Sequence, residues 1–235
     1  MNISLILIVA LLPVALLSFY IYKRDPLPEP APLLRKAFIY GALIVFPILI
    51  VESVFSFALT PLLAIPFIGA ILKAFIVAAI PEEGFKLLAL WLLLRKNPYF
   101  DEHIDGIVYA VYVSLGFAAI ENIMYLFGNQ EILLQVGIMR ALMAVPGHYA
   151  FGILMGFFYS LYYFVNRSSY NRNMIFVAPV IAHGTYDAIL FVSEMSEYVA
   201  VISIIASVVF CIWLHRFCFK RIQSHIHRDK KLFGE

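Results

Sequence analysis

Charge is scarce in this 235-residue sequence: Asp, Glu, Lys and Arg make up 14% of it, against 63% hydrophobic residues and a mean hydropathy of +0.90. Soluble domains carry about 25% charged residues, so a water-soluble globule is excluded and a polytopic membrane protein is indicated. Cysteine is nearly missing too. Cys211 and Cys218 lie seven positions apart on one predicted helix. That is too far to bridge, which excludes a disulfide and leaves packing as their role. There is no H-E-x-x-H pair for a zincin and no G-x-S-x-G elbow for a serine hydrolase. P-loop, dinucleotide and nucleic-acid signals are absent, so no nucleic-acid partner is expected. Internal repeats and low-complexity segments are absent as well.

What remains is apolar sequence in long runs. A spanning helix needs about 20 residues, and suitable runs cover 2–22, 37–59, 62–95, 104–128, 131–165, 173–193 and 197–218. The expected fold class is all-α, seven or eight transmembrane helices in one bundle, a single domain over 1–235 with a basic tail at 219–235. No basic residue precedes the first run, and Lys23 and Arg24 follow it, so it reads as a retained helix rather than a cleaved signal. Lys and Arg fall in alternate connections: Lys23, Arg24, Arg35 and Lys36, then Arg95 and Lys96, then Arg167 and Arg172, then the tail from Arg216 to Lys231. The positive-inside rule then puts the N-terminus outside and the C-terminus in the cytoplasm, with the basic tail near lipid headgroups. An odd number of crossings follows, most simply seven. One crossing is the over-long run 62–95, where Pro66 and Pro81 offer places to break or kink.

Ionisable residues inside spans are expensive and mark function by default. Here they are Glu52, Lys73, Glu82, Glu83, Lys86, Glu121, Arg140, His148, His183 and Asp187. At ~1.5 Å per residue, Glu82, Glu121, His148 and His183 lie about 20, 25, 25 and 15 Å from the cytoplasmic ends of their helices. Four helices thus bring acids and imidazoles into one mid-to-outer layer. Glu82 and Lys86 are i, i+4 and can meet, while Glu83 points about 100° away. His183 and Asp187 are also i, i+4, a carboxylate placed to orient an imidazole. His148 shares a face with Gly152 and Gly156, and Arg140 is roughly on that side. Glu121 with Asn122 reads either as part of the site or as interhelical polar glue. Glu52 and Lys73 read as structural.

Two carboxylates and two imidazoles in a wet pocket can activate a water and support an oxyanion. Glu121, His148 and His183 are also candidate ligands for zinc, with a water in the open position. A proton-coupled transporter would line its path with similar residues, but it should show repeated halves. A non-catalytic scaffold would have no use for the acids.

Five segments together, EEGFK at 82–86, FDEHIDGIVYA at 100–110, SLGFAAIEN at 114–122, HYAFGILMG at 148–156 and HGTYD at 183–187, resemble the PrsW family of intramembrane proteases in order and spacing. PEP at 28–30 fits the same pattern. The resemblance covers nearly the whole chain and implies membership of the wider CAAX-protease and bacteriocin-processing group. It implies that Glu82 and Glu83 are the essential glutamate pair and His183 the catalytic histidine, with Glu121 and His148 at the remaining polar positions. It further implies cleavage of a single-pass membrane protein, an anti-sigma factor in the best-known members, on its extracytoplasmic side at the cell membrane. The expected chemistry has one of Glu82 and Glu83, with His183 oriented by Asp187, activating water. His148 and Glu121 position it, supported by Lys86, Arg140 and Asn122. Lys86 is expected to hold one glutamate ionised so that the other can act. FDEH is expected to be a capping cluster rather than a catalytic element.

Overall fold

The computed structural model describes residues 3–232, and all regular structure among them is helical. Helix α1 is Ile3–Tyr22, α2 Ala31–Ala58, α3 the single turn Thr60–Leu63, α4 Ile68–Leu72 and α5 Ile80–Leu94. Then come α6 His103–Gly128, α7 Leu133–Met139, α8 Val145–Ser160, α9 Ser169–Val192 and α10 Glu197–Leu232. Six helical stretches of the described residues are long and apolar enough to cross a membrane: α1, α2, α6, 130–165, 169–195 and α10. The seventh long helix, 68–94, carries Lys73, Glu82, Glu83 and Lys86 and is the one that builds the site.

The over-long run 62–95 does break, and where proline requires it. The chain leaves α3, turns through Pro66 with Phe67 at φ 61°, and re-enters a helix at Ile68. From Lys73 to Ala79 the helix widens into a π turn, and a second π turn runs Arg140–Ala144. Each of these two is followed by a helix with proline at its second position, Pro81 and Pro146, whereas a third π turn, Leu161–Val165, closes α8 with no proline after it. Proline has no N–H and its ring crowds the carbonyl four residues back, Val77 and Leu142 here, so the preceding turn loosens to make room. Single π turns of this kind concentrate at functional sites.

Helix α6 is the central post. It is the most buried of the spans and packs on α8, α2 and α1. Two close approaches of α6 to its neighbours need glycine. A Cβ on Gly156 would run into the carbonyl of Gly106, and one on Gly116 would strike the carbonyl of Phe38. Between helices in lipid such close packing replaces the missing hydrophobic drive. The outer surface is inverted relative to a soluble protein: Ile8, Ile50, Phe57, Ile202 and Ile205 stand exposed, while Glu83, Lys86, Asp105 and His225 are buried. Cys211 and Cys218 are free thiols, and Cys218 packs with Sγ 3.6 Å from the carbonyl of Ala150.

At the opposite end of α6 from Glu121, residues read as a tail do more than carry charge. Helix α10 continues for 36 residues, through 219–232. Asp229 on its last turns accepts from the backbone N–H of His103 at 2.8 Å and of Ile104 at 3.0 Å, and sits 2.6 Å from His103 Nδ1. FDEH is a cap: Glu102 and Asp105 form the reciprocal capping box of α6. The connection 23–30 folds against this end, with Asp25 and Glu29 buried. Burial pushes the Asp25 carboxyl up to about 6 and the Glu29 and Glu102 carboxyls up to about 7.

Candidate active site

The two widened turns and the middle of α9 deliver the site. Pro81 places Glu82 and Glu83 in the first turn of α5, Pro146 places His148 near the start of α8, and α9 supplies His183 and Asp187 one turn apart. Helix α6 contributes Glu121 and Asn122, and the π turn before α8 contributes Arg140. These eight and Lys86, the nine residues assigned to the site from the sequence, meet in one connected set.

Lys86 is its hub. Its ammonium has three N–H donors, and three acceptors surround it: Glu83 Oε1 at 2.8 Å, Glu82 Oε2 at 3.1 Å and His148 Nδ1 at 3.3 Å. The ring of Phe117 lies 4.2 Å from the same nitrogen. Because Nδ1 of His148 accepts from Lys86, its Nε2 carries the proton, and it donates to Glu121 Oε2 at 2.8 Å. Arg140 donates to that same oxygen at 2.7 Å and to Asn122 Oδ1 at 2.5 Å, and Asn122 in turn donates to the carbonyl of Ala10 at 3.1 Å. Asn122 thus bridges Arg140 to the backbone of α1, while Glu121 joins Arg140 to His148.

His183 lies on the other side of the glutamates. Its Nδ1 is 2.9 Å from Glu83 Oε1, and its Nε2 is 3.3 Å from Asp187 Oδ2 and 3.9 Å from Glu82 Oε2. Both ring nitrogens face carboxylates, which suits a ring that takes up and hands on a proton. Phe151 stacks on it at 4.7 Å, and the ring of His148 meets it edge-on at 5.5 Å.

These groups face a cavity of about 820 Å³ whose wall includes Glu82, Glu121, Arg140, His148, His183 and Asp187, but not Glu83. The paired glutamates therefore differ. Glu82 is open to the cavity, whereas Glu83 is fully buried, with Oε1 engaged by Lys86 and His183. Glu52 and Lys73, read from the sequence as structural, line the same cavity. Ser114, on the helix face that leads to Glu121, donates its hydroxyl to the carbonyl of His148 at 2.7 Å, and Phe151 carried no signal of its own in the sequence.

The donor set fits a metal ion. Glu82, Glu83 and His183 each bring one ligand atom within 4.8 Å of the others, and Glu83 Oε2 is buried without a hydrogen-bond partner. Two carboxylates and one imidazole with an open fourth position are a donor set suited to catalytic zinc. This trio differs from the one named from the sequence: His183 joins the two glutamates, while Glu121 and His148 form a pair of their own, linked to the trio by Lys86.

Buried carboxylates and imidazoles around a cavity, inside a bundle of spanning helices, suit proton-transfer chemistry at membrane depth, hydrolysis included. Comparison with known proteins narrows the class. Residues 29–214 match the family model described as PrsW family intramembrane metalloprotease. Protease PrsW of Clostridioides difficile is 34% identical over 232 residues, covering 96% of this chain and 93% of that protein. Protease PrsW of Geobacillus kaustophilus is 37% identical over 186 residues, covering 79% of each, and that of Bacillus subtilis is 33% identical over 179 residues, covering 75% of this chain and 78% of the other. No solved structure matches significantly. The chain belongs to the PrsW family of intramembrane proteases and is a peptide hydrolase of the membrane.

Proposed function

We propose that this protease cuts a single-pass membrane protein, an anti-sigma factor by family resemblance, in the outer half of the cytoplasmic membrane, with its N-terminus outside and its basic helix ends in the cytoplasm. The observation that carries the reading is the inequality of the paired glutamates: one open to a polar cavity, its neighbour locked by Lys86 and His183.

Glu82 is the general base, taking a proton from the attacking water. Glu83 stays in place as the acceptor that orients His183 through Nδ1. Asp187 holds the other face of that ring, so His183 relays the proton toward the leaving amine. The Nε2 proton of His148 and the guanidinium of Arg140 meet at Glu121 on the same wall, and this positive edge faces the charge that grows on the carbonyl oxygen. Lys86 keeps both halves in register. Glu82, Glu83 and His183 are also the residues that would hold a metal; as ligands they would give up the base and relay roles, and the ion would instead supply Lewis-acid polarisation and lower the pKa of water.

The test is cleavage of a candidate single-pass substrate by the purified protein in detergent. Glu82→Gln, Glu83→Gln and His183→Ala should each lower the rate by about 10²–10⁴, with helix content unchanged by circular dichroism. Folded variants that cut at the wild-type rate would sink the reading. Metal analysis of the purified protein, alongside chelation, tests the metal: loss of bound metal and of activity together is the expected result.

A further inference from the structure

The protein carries a second cluster of acids at the far end of α6, which the cleavage reaction does not use. Asp105 lies sixteen residues before Glu121, about 24 Å along the helix at ~1.5 Å per residue. Around it stand Glu102 on the same cap and Asp25 from the connection between α1 and α2. These three each bring one carboxylate oxygen within 4.8 Å of the others. Glu29 is buried beside them and accepts a hydrogen bond from the hydroxyl of Tyr109.

Two further observations point to a ligand. First, each of the three carboxylates keeps one buried oxygen with no hydrogen-bond partner: Asp25 Oδ2, Glu102 Oε2 and Asp105 Oδ1. The residues are 5%, 3% and 0% exposed. In two of them the other oxygen is pinned by the backbone: Asp25 Oδ1 by Leu27 N–H at 3.1 Å, and Asp105 Oδ2 by the N–H groups of Asp101 at 3.0 Å and Glu102 at 2.6 Å. Pinning one oxygen from behind fixes the direction of the free one. Second, among the described residues no Lys or Arg makes an ion pair with Asp25, Glu29, Glu102 or Asp105. Buried carboxylates need a counter-charge, and leaving one uncompensated costs several kcal/mol.

We propose that Asp25, Glu102 and Asp105 bind a hard divalent cation, Ca²⁺ or Mg²⁺, that clamps the α1–α2 connection to the start of α6. An all-oxygen set of carboxylates selects hard cations over zinc. Backbone carbonyls and waters complete the shell, as they commonly do for both ions. The clamp acts beside Asp229, which holds the neighbouring N–H groups of α6. One end of the bundle is thereby tied from the first connection and from the last helix at once.

The test uses the full-length protein in detergent, stripped with EDTA and returned to CaCl₂ or MgCl₂ in separate titrations, with thermal unfolding and equilibrium dialysis as readouts. To keep the active centre out of the signal, the host carries Glu82→Gln and His183→Ala. In that host at least one cation should raise the unfolding midpoint by several degrees and bind in a 1:1 ratio. Asp25→Asn and Glu102→Gln should each weaken binding by about tenfold or more, while cleavage-site metal in the otherwise native protein stays unchanged. Failure of both cations to bind, or binding that survives Asp25→Asn and Glu102→Gln together, would overturn the proposal.

Discussion

At the scale of single residues, Lys86 decides how the site holds together. It is fully buried and supplies a donor to two glutamates and a histidine on another helix. Lys86→Met should cost about 3–5 kcal/mol, the usual penalty for stranding one side of a buried ion pair, and cleavage should fall with it. Lys86→Arg should not restore activity, because a planar fork cannot direct three donors as an ammonium does. Unfolding in detergent and a cleavage assay report the two effects separately. Much of this site was legible in the sequence. Rare charges inside spans flagged its ionisable members, and i, i+4 spacing paired Glu82 with Lys86 and His183 with Asp187. The cross-helix link from Lys86 to His148 was not legible, because 62 residues separate them. Nor was the choice between Glu82 and Glu83: helical phase says that they diverge, but only the packed neighbours say which one faces the cavity.

At the scale of elements, the sequence located the long helices and blurred their ends. Helix α2 starts at Ala31 rather than near 37, since Arg35 and Lys36 interrupt an apolar run without interrupting a helix, and Pro32 sits well in a first turn. Helix α10 likewise runs past its apolar part to Leu232, because helicity needs backbone bonds and not apolar side chains. Proline marked some of the breaks and not others: the chain turns at Pro66 and the turns before Pro81 and Pro146 loosen, while Pro13, Pro47 and Pro179 sit inside α1, α2 and α9 without ending them. Glycine demands a finer reading. A Cβ on Gly84 would meet only Phe176 at 3.7 Å, whereas one on Gly156 would collide with the backbone of Gly106. Gly84→Ala should therefore hold stability or raise it by about 0.5–1 kcal/mol, while Gly156→Ala should lower it by about 1–3 kcal/mol through forced separation of α6 and α8. Thermal unfolding of the two variants side by side gives the comparison.

At the scale of the whole molecule, the bundle has two polar poles joined by α6: a reactive one around Glu82, Glu121, His148 and His183, and a tethering one around Asp25, Glu102, Asp105 and Asp229. The second pole was hidden because its members are split between a connection, the capped start of α6 and the end of α10, and Asp105 reads as part of the cap that FDEH begins. The first pole has a physical consequence of its own. A cavity of about 820 Å³ would hold on the order of two dozen waters at ~30 Å³ each, a small reservoir inside a medium that has almost none. Peptide hydrolysis draws its reactant from that reservoir, and a substrate segment entering the cavity must displace part of it. The protease is therefore expected to respond to osmotic pressure. Polymers too large to enter the cavity should change the apparent affinity for substrate in proportion to the water displaced, and small solutes that can enter should not. Cleavage rates across a series of polyethylene glycols of increasing size, at matched osmolality, would measure that volume of water directly.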